Sequence, residues 1–78
     1  MTNYTTRSAK DFLDQPIEVL KLSDEFKEVA QINHFQTLSE MIELPIEVLG
    51  KMEQFNHRIM AEYISFMEEN GFGHMIEN

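Results

Sequence analysis

The sequence predicts an all-α fold built as two related halves, and three observations carry that expectation. Pro16-Ile17-Glu18-Val19-Leu20 recurs unchanged 29 residues later as Pro45-Ile46-Glu47-Val48-Leu49, and each copy is followed six residues on by a phenylalanine, Phe26 and Phe55. Apolar residues recur at intervals of three and four, the period of a helix with one buried face. No stretch alternates with period two, and no Asn-Gly lies between two runs rich in β-branched residues. Asp24-Glu25 before Phe26 and Glu53-Gln54 before Phe55 extend the correspondence. With two copies and no third, the apolar faces are expected to cover each other in one closed domain and not in an open stack.

Residues 1–10 are polar and aperiodic, and Asp11-Phe12-Leu13-Asp14 adds a short apolar clip. Residues 1–13 are therefore expected to form a flexible arm and residues 14–78 the folded domain. Pro16 and Pro45 suit the first turn of a helix, where the missing N–H has no intrahelical partner, so both five-residue copies read as short helical turns. Gln15 and Leu44, each preceding a proline, are pushed toward extended backbone. Ser23 is the expected cap of a helix ending near Asn33. Its oxygen suits an orphan amide, Asp24-Glu25 complement the positive end of the dipole, and Phe26, Val29 and Ala30 make one apolar stripe. Thr37 or Ser39 caps a short third piece carrying Leu38, Met41 and Ile42, which Pro45 stops. The longest helix is expected from about Asn56 to Glu69, with Phe55, Ile59, Met60, Tyr63, Phe66 and Met67 on its inward side. Asn70-Gly71 gives a left-handed stop, after which Phe72, Met75 and Ile76 fold back onto the core. Several short helices and one longer one, in duplicate, describe a compact four- to five-helix domain of the helix-hairpin-helix, SAM-like class.

Seventy-eight residues make one domain with a limited core and little room for a catalytic cleft. The absence of cysteine excludes a disulfide scaffold and a thiolate metal site. The segment Met1 to Arg7 lacks the apolar run of a secretory signal, which makes the cytoplasm the expected location. No apolar run nears the roughly 18 residues of a membrane helix, so no membrane association is expected. Acidic residues outnumber basic ones 14 to 6, for a formal charge of −8. From Asp14 onward, 13 acids face only Lys21, Lys27, Lys51 and Arg58. Such a field repels phosphate backbones and anionic lipid, and it also serves to keep a small domain soluble.

In order and spacing the chain resembles the C-terminal domain of the bacterial RNA polymerase alpha subunit. Pro16-Ile17-Glu18-Val19-Leu20-Lys21-Leu22-Ser23 has the form of that family's Pro-(Val/Ile)-Asp-x-Leu-x-Leu-(Ser/Thr) lead into its first helix. The stretch from Val29 to Ile42 is similar, without a gap, to Cys-Leu-Lys-x-x-x-Ile-x-x-Ile-Gly-Asp-Leu-Val. Glu62 falls on a glutamate of the family's last helix, Asn70-Gly71-Phe72 resembles its Arg-Gly-Leu stop, and Ile76-Glu77-Asn78 its Leu-Glu-Asn. The resemblance runs from about Asp14 to Asn78, with a small deletion after Gly71, and many matched positions are core apolar residues that any compact helical domain shares.

The departures fall on the functional positions. The resemblance implies minor-groove contacts from an arginine opening the first helix, an asparagine three positions on and a Gly-x-Lys-Ser hairpin. Here those positions hold Glu25, Glu28, Asn56, Arg58 and Ile59, and only Arg58 keeps the charge. Carboxylates where a guanidinium would enter the groove remove phosphate contacts and add repulsion. Asn56 still suits a hairpin with positive φ. The expectation is therefore a non-enzymatic, transcription-associated domain acting by protein contact, with transcription proteins, basic regulators or a second copy of itself as partner. Its expected surface is Glu25, Glu28, Arg58, Ile59, Glu62 and Ile64. The alternative that the resemblance supports is a DNA-binding polymerase domain using Arg58, Lys51 and backbone N–H groups at helix starts.

Ile59 and Ile64 lie off the stripe of Met60, Tyr63 and Met67, and two readings stand: exposed contacts flanked by acids, or a helix that packs more of itself inward. Neither catalytic residue, cofactor nor metal is expected. His34, His57 and His74 are not three or four apart, so they form no helical metal pair. Glu62 with Glu68 or Glu69 reads as surface charge, and there is no nucleophile–base pair or glycine-rich phosphate loop. Met41, Met52, Met60, Met67 and Met75 read as core filling ahead of an adaptable recognition surface.

Overall fold

The structure, a computed structural model, describes residues 10–76. Arg7, the rest of residues 1–9, and the Glu77-Asn78 end of the last resembling motif lie outside the described residues. The described chain is compact and helical, without a strand; one isolated antiparallel bridge joins Pro16 and Thr37.

The packed body starts earlier than residue 14. Residues 10–13 form a helical turn, the Asp14 amide donates to the Lys10 carbonyl at 3.0 Å, and Leu13 is buried. The Phe12 ring lies 6.0 Å from that of Phe66 and 5.6 Å from that of Phe72, an aromatic cluster that ties the first described residues to the last helix and its stop. An apolar pair next to a waiting aromatic surface gains more by burial than by freedom.

Both copies of the repeat are short helical turns, the first a 3₁₀ turn, Ile17–Val19, and the second an α-helical one. Each proline is the N-cap with extended backbone. In each copy the valine faces solvent, Val19 and Val48, while the leucine, Leu20 or Leu49, is buried. Helix α1, Asp24–Ile32, starts where Ser23 Oγ accepts from the Phe26 amide at 3.0 Å. Its buried residues are Phe26, Val29 and Ala30. It stops in a Schellman motif: the Phe35 amide reaches the Ala30 carbonyl at 2.8 Å and the His34 amide reaches Gln31 at 3.0 Å, with His34 at φ 65°. Helix α2, Leu38–Ile42, is capped by Thr37 and buries Leu38 and Met41. Three residues into it, the Glu40 carboxylate turns back to accept from the Gln36 amide at 2.7 Å, a variant of the capping box. Helix α3, Ile46–Leu49, is the second copy of the repeat.

Helix α4, His57–Glu69, is the longest, and the Asn56 side chain caps it by accepting from the Ile59 amide at 3.0 Å. It ends as α1 does. The Phe72 amide reaches the Met67 carbonyl at 2.7 Å and the Gly71 amide reaches Glu68 at 3.1 Å, with Gly71 at φ 83°. Asn33 and Asn70, at equivalent places before these stops, each donate from Nδ2 to the carbonyl four residues back, Val29 and Phe66. A 3₁₀ turn, Gly73–Ile76, then lays Phe72 and Ile76 against the core and leaves Met75 exposed.

The two copies of the repeat lead into their helices differently. Phe26 lies inside the first turn of α1, whereas Phe55 precedes the cap of α4, because more chain separates Pro45 from its helix than Pro16 from its own. The core is apolar apart from the Tyr63 hydroxyl, with Met41 and Met67 fully buried in it as filling residues.

Candidate functional site

The six residues expected to form a surface lie on α1 and α4, which pack against each other. Ser23 sits at the start of α1, and its amide and hydroxyl both donate to the Glu62 carboxylate of α4, to Oε2 and Oε1, each at 2.7 Å. The same Ser23 hydroxyl oxygen accepts from the Phe26 amide, so one side chain completes the cap while its proton holds the neighbouring helix. One turn before Glu62, Arg58 Nη2 lies 3.4 Å from Glu25 Oε2. Both side chains of that pair are substantially exposed, at 75 and 43%, so it contributes no more than about 1 kcal/mol. Ser23, Glu25, Arg58 and Glu62 thus form a polar seam in which Arg58 faces Glu25 and Ser23 supplies both donors to Glu62.

Ile59 is not part of any surface. It is 1% exposed, and the buried stripe of α4 is Ile59, Tyr63 and Met67, with Met60 only partly buried. The exposed contact expected at Ile59 is corrected: positions i, i+4 and i+8 share the inner face here, and the Asn56 cap places the Ile59 amide, and with it the side chain, in the first turn over the core. Ile64 is half-buried. Glu28 is exposed and lines an open cleft beside α1, apart from the seam.

The hairpin before α4 also differs from expectation. Asn56 has φ −87° and ψ −176°, while Gln54 takes φ 60°. A capping side chain needs extended backbone at its own residue, so the reversal moves two residues back. There the Phe55 amide donates to Met52 at 3.1 Å, and Asn33 Nδ2 donates to the Glu53 carbonyl at 2.9 Å, fixing the hairpin against the end of α1.

Two titratable groups among the described residues are perturbed. Asp14 is held below the ordinary 3.8, first by the Ser39 hydroxyl that it accepts from and then by Lys10. Tyr63, under the seam with its ring 6.5 Å from that of Phe26, has its phenol pushed up to about 12 by burial. Its hydroxyl has no hydrogen-bond partner among the described residues.

Sequence reasoning missed the Ser23–Glu62 clamp and the bridge from Asn33. The asparagines and Ser23 carried a local signal as caps; their long-range partners had none. Compared with models of known protein families, with curated proteins and with solved structures, the chain matches none of them. Among the described residues, no helix is long and apolar enough to cross a membrane.

Proposed function

We propose that this chain is a non-enzymatic, transcription-associated protein-interaction domain of the helix-hairpin-helix class, similar to the polymerase alpha C-terminal domain but without its groove reading. The observation that carries this reading is the fate of the positions that resemblance assigns to DNA. Arg58, the single cation among them, is paired with Glu25. Asn56 Oδ1 is taken up as the cap of α4, and Ile59 is buried. Glu28 adds an exposed carboxylate. A duplex approaching this face meets a single cation, itself facing a carboxylate, beside the exposed carboxylate of Glu28, so counterion release has little to supply.

The remaining charge supports a basic protein partner. Acidic groups meeting a basic surface speed encounter and select orientation, and the resulting complex weakens as salt rises. Co-purification of the tagged full chain from its native cell, followed by mass spectrometry, tests the proposal. The expected result is a transcription protein or basic regulator released by added salt. A complex indifferent to salt, or capture of no transcription protein, contradicts it.

A further inference from the structure

Asn70 is the one asparagine of the chain that is followed by glycine. The backbone nitrogen after an asparagine is placed to attack that residue's own side-chain carbonyl, and the side chain of the following residue is what obstructs it; glycine presents none. Nothing lies within 4 Å of where a Cβ would stand on Gly71, and both Asn70 and Gly71 are exposed. In the closed stop of α4 both reacting groups are occupied. Asn70 Nδ2 donates to the Phe66 carbonyl at 2.8 Å, and the Gly71 amide donates to the Glu68 carbonyl at 3.1 Å. The carboxamide must turn away from Phe66, and the amide leave Glu68, before the two meet. Little resists that opening. Glu68, Glu69, Asn70 and Gly71 are all exposed, and the anchor beyond them is half-buried Phe72, through its amide on the Met67 carbonyl at 2.7 Å and its ring 5.6 Å from that of Phe12. Exposed helix ends open far more often than a whole domain unfolds.

The stop of α1 supplies the comparison. Asn33 Nδ2 donates to Val29 and the His34 amide to Gln31, each at 3.0 Å, the same two bonds. There the following residue carries a side chain, and Asn33 Nδ2 also donates to the Glu53 carbonyl at 2.9 Å, which ties it to the hairpin. We propose that Asn70 is a self-modification site, converted to aspartate and isoaspartate at a rate set by opening of the last turn of α4. The Gly71 nitrogen bonds to Asn70 Cγ, and the carboxamide nitrogen leaves with the Gly71 amide proton as ammonia, giving a cyclic imide. Water then adds to either imide carbonyl. Cleavage of the new N–Cγ bond gives aspartate, and cleavage of the original peptide bond gives isoaspartate, whose main chain runs through the former side chain. Either product sets a carboxylate beside Glu68 and Glu69 at the negative end of α4 and removes the donor to Phe66. Isoaspartate also inserts one carbon ahead of Phe72, which draws its amide off Met67 and its ring off Phe12.

The test is incubation of the full chain in mildly alkaline buffer, native and in denaturing urea, with peptide mapping by mass spectrometry to follow aspartate and isoaspartate at both asparagines. The expected result is conversion of Asn70 at least tenfold faster than Asn33 in the native chain, and a further tenfold or greater acceleration of Asn70 in urea. Phe12→Ala, which removes the aromatic partner of Phe72, is expected to speed Asn70 at least threefold while changing Asn33 less than twofold. Native chain in urea below its unfolding midpoint loosens the same turn without a substitution and is expected to show the same bias toward Asn70. Native conversion of Asn70 no faster than that of Asn33 overturns the site. Equal rates of Asn70 in native and denatured chain, or equal acceleration of the two asparagines by Phe12→Ala and by low urea, overturn the gate. The purified isoaspartate product is expected to show amide NMR shifts centred on residues 10–13 and 66–76, and unchanged amides at Phe12 and Phe72 overturn the release of the clip.

Discussion

Replacing Glu62 with alanine removes the acceptor of both Ser23 donors and opens the seam between α1 and α4. Hydrogen bonds to an ionised group contribute about 1.5–3 kcal/mol each. Ser23 is exposed and Glu62 half-buried, so water replaces much of what is lost, and a net cost of about 2 kcal/mol is expected. In a domain of this size that lowers the midpoint of thermal unfolding by roughly 8–16 °C. Urea unfolding followed by far-UV circular dichroism measures it, as a lower midpoint at unchanged slope. Ser23→Ala loses the cap to Phe26 and the hydroxyl bond to Glu62 but keeps the backbone donor, so the double-mutant cycle isolates the hydroxyl bond, with an expected coupling of about 1 kcal/mol. Glu62→Gln, which retains one acceptor, should fall between wild type and alanine. A cost for Glu62→Ala below about 0.5 kcal/mol, with single effects that simply add, would refute the clamp.

Tyr63→Phe removes a buried hydroxyl that has no partner and is expected to stabilise the domain by about 1 kcal/mol, read from the same urea midpoint. The phenol is raised in the folded state, from 10.0 to about 12, so its contribution is intact below pH 10 and lost as pH rises from 10 to 12. Tyr63→Phe should flatten the stability profile across that window; an unchanged slope places the ionisation elsewhere. His34→Gly relieves a left-handed residue at the stop of α1 and is expected to gain about 0.5 kcal/mol, whereas Gly71→Ala, at the matching stop of α4, is expected to lose about 1 kcal/mol without any steric contact at the added Cβ.

Elements set by neighbours in sequence were legible. Ser23 and Thr37 as caps, the Asn70-Gly71 stop, the two proline-led turns and the buried stripe of α1 all depend on a few adjacent residues and on helical period. The stripe of α4 was legible only to within one residue. Met60-Tyr63-Met67 and Ile59-Tyr63-Met67 both satisfy helical spacing, and tertiary packing chooses the second. The same limit applied at the hairpin. Asn56 suits either a positive φ or a cap, and the unpaired amide of Ile59 decides for the cap. The seam was not legible. Glu62 lies 39 residues from Ser23, and a glutamate on a half-exposed face reads as solvent charge until the neighbouring helix start is placed beside it. The charge balance was read from composition alone, but which carboxylates remain uncommitted depended on the Arg58–Glu25 pair.

The loss of groove reading is tested most directly by fluorescence anisotropy of a labelled A/T-rich duplex titrated with the full chain at two salt concentrations. The account predicts no saturable binding in the micromolar range at either, since the seam spends its one cation internally. Submicromolar binding that falls steeply with salt would contradict it and return the chain to the DNA-reading class.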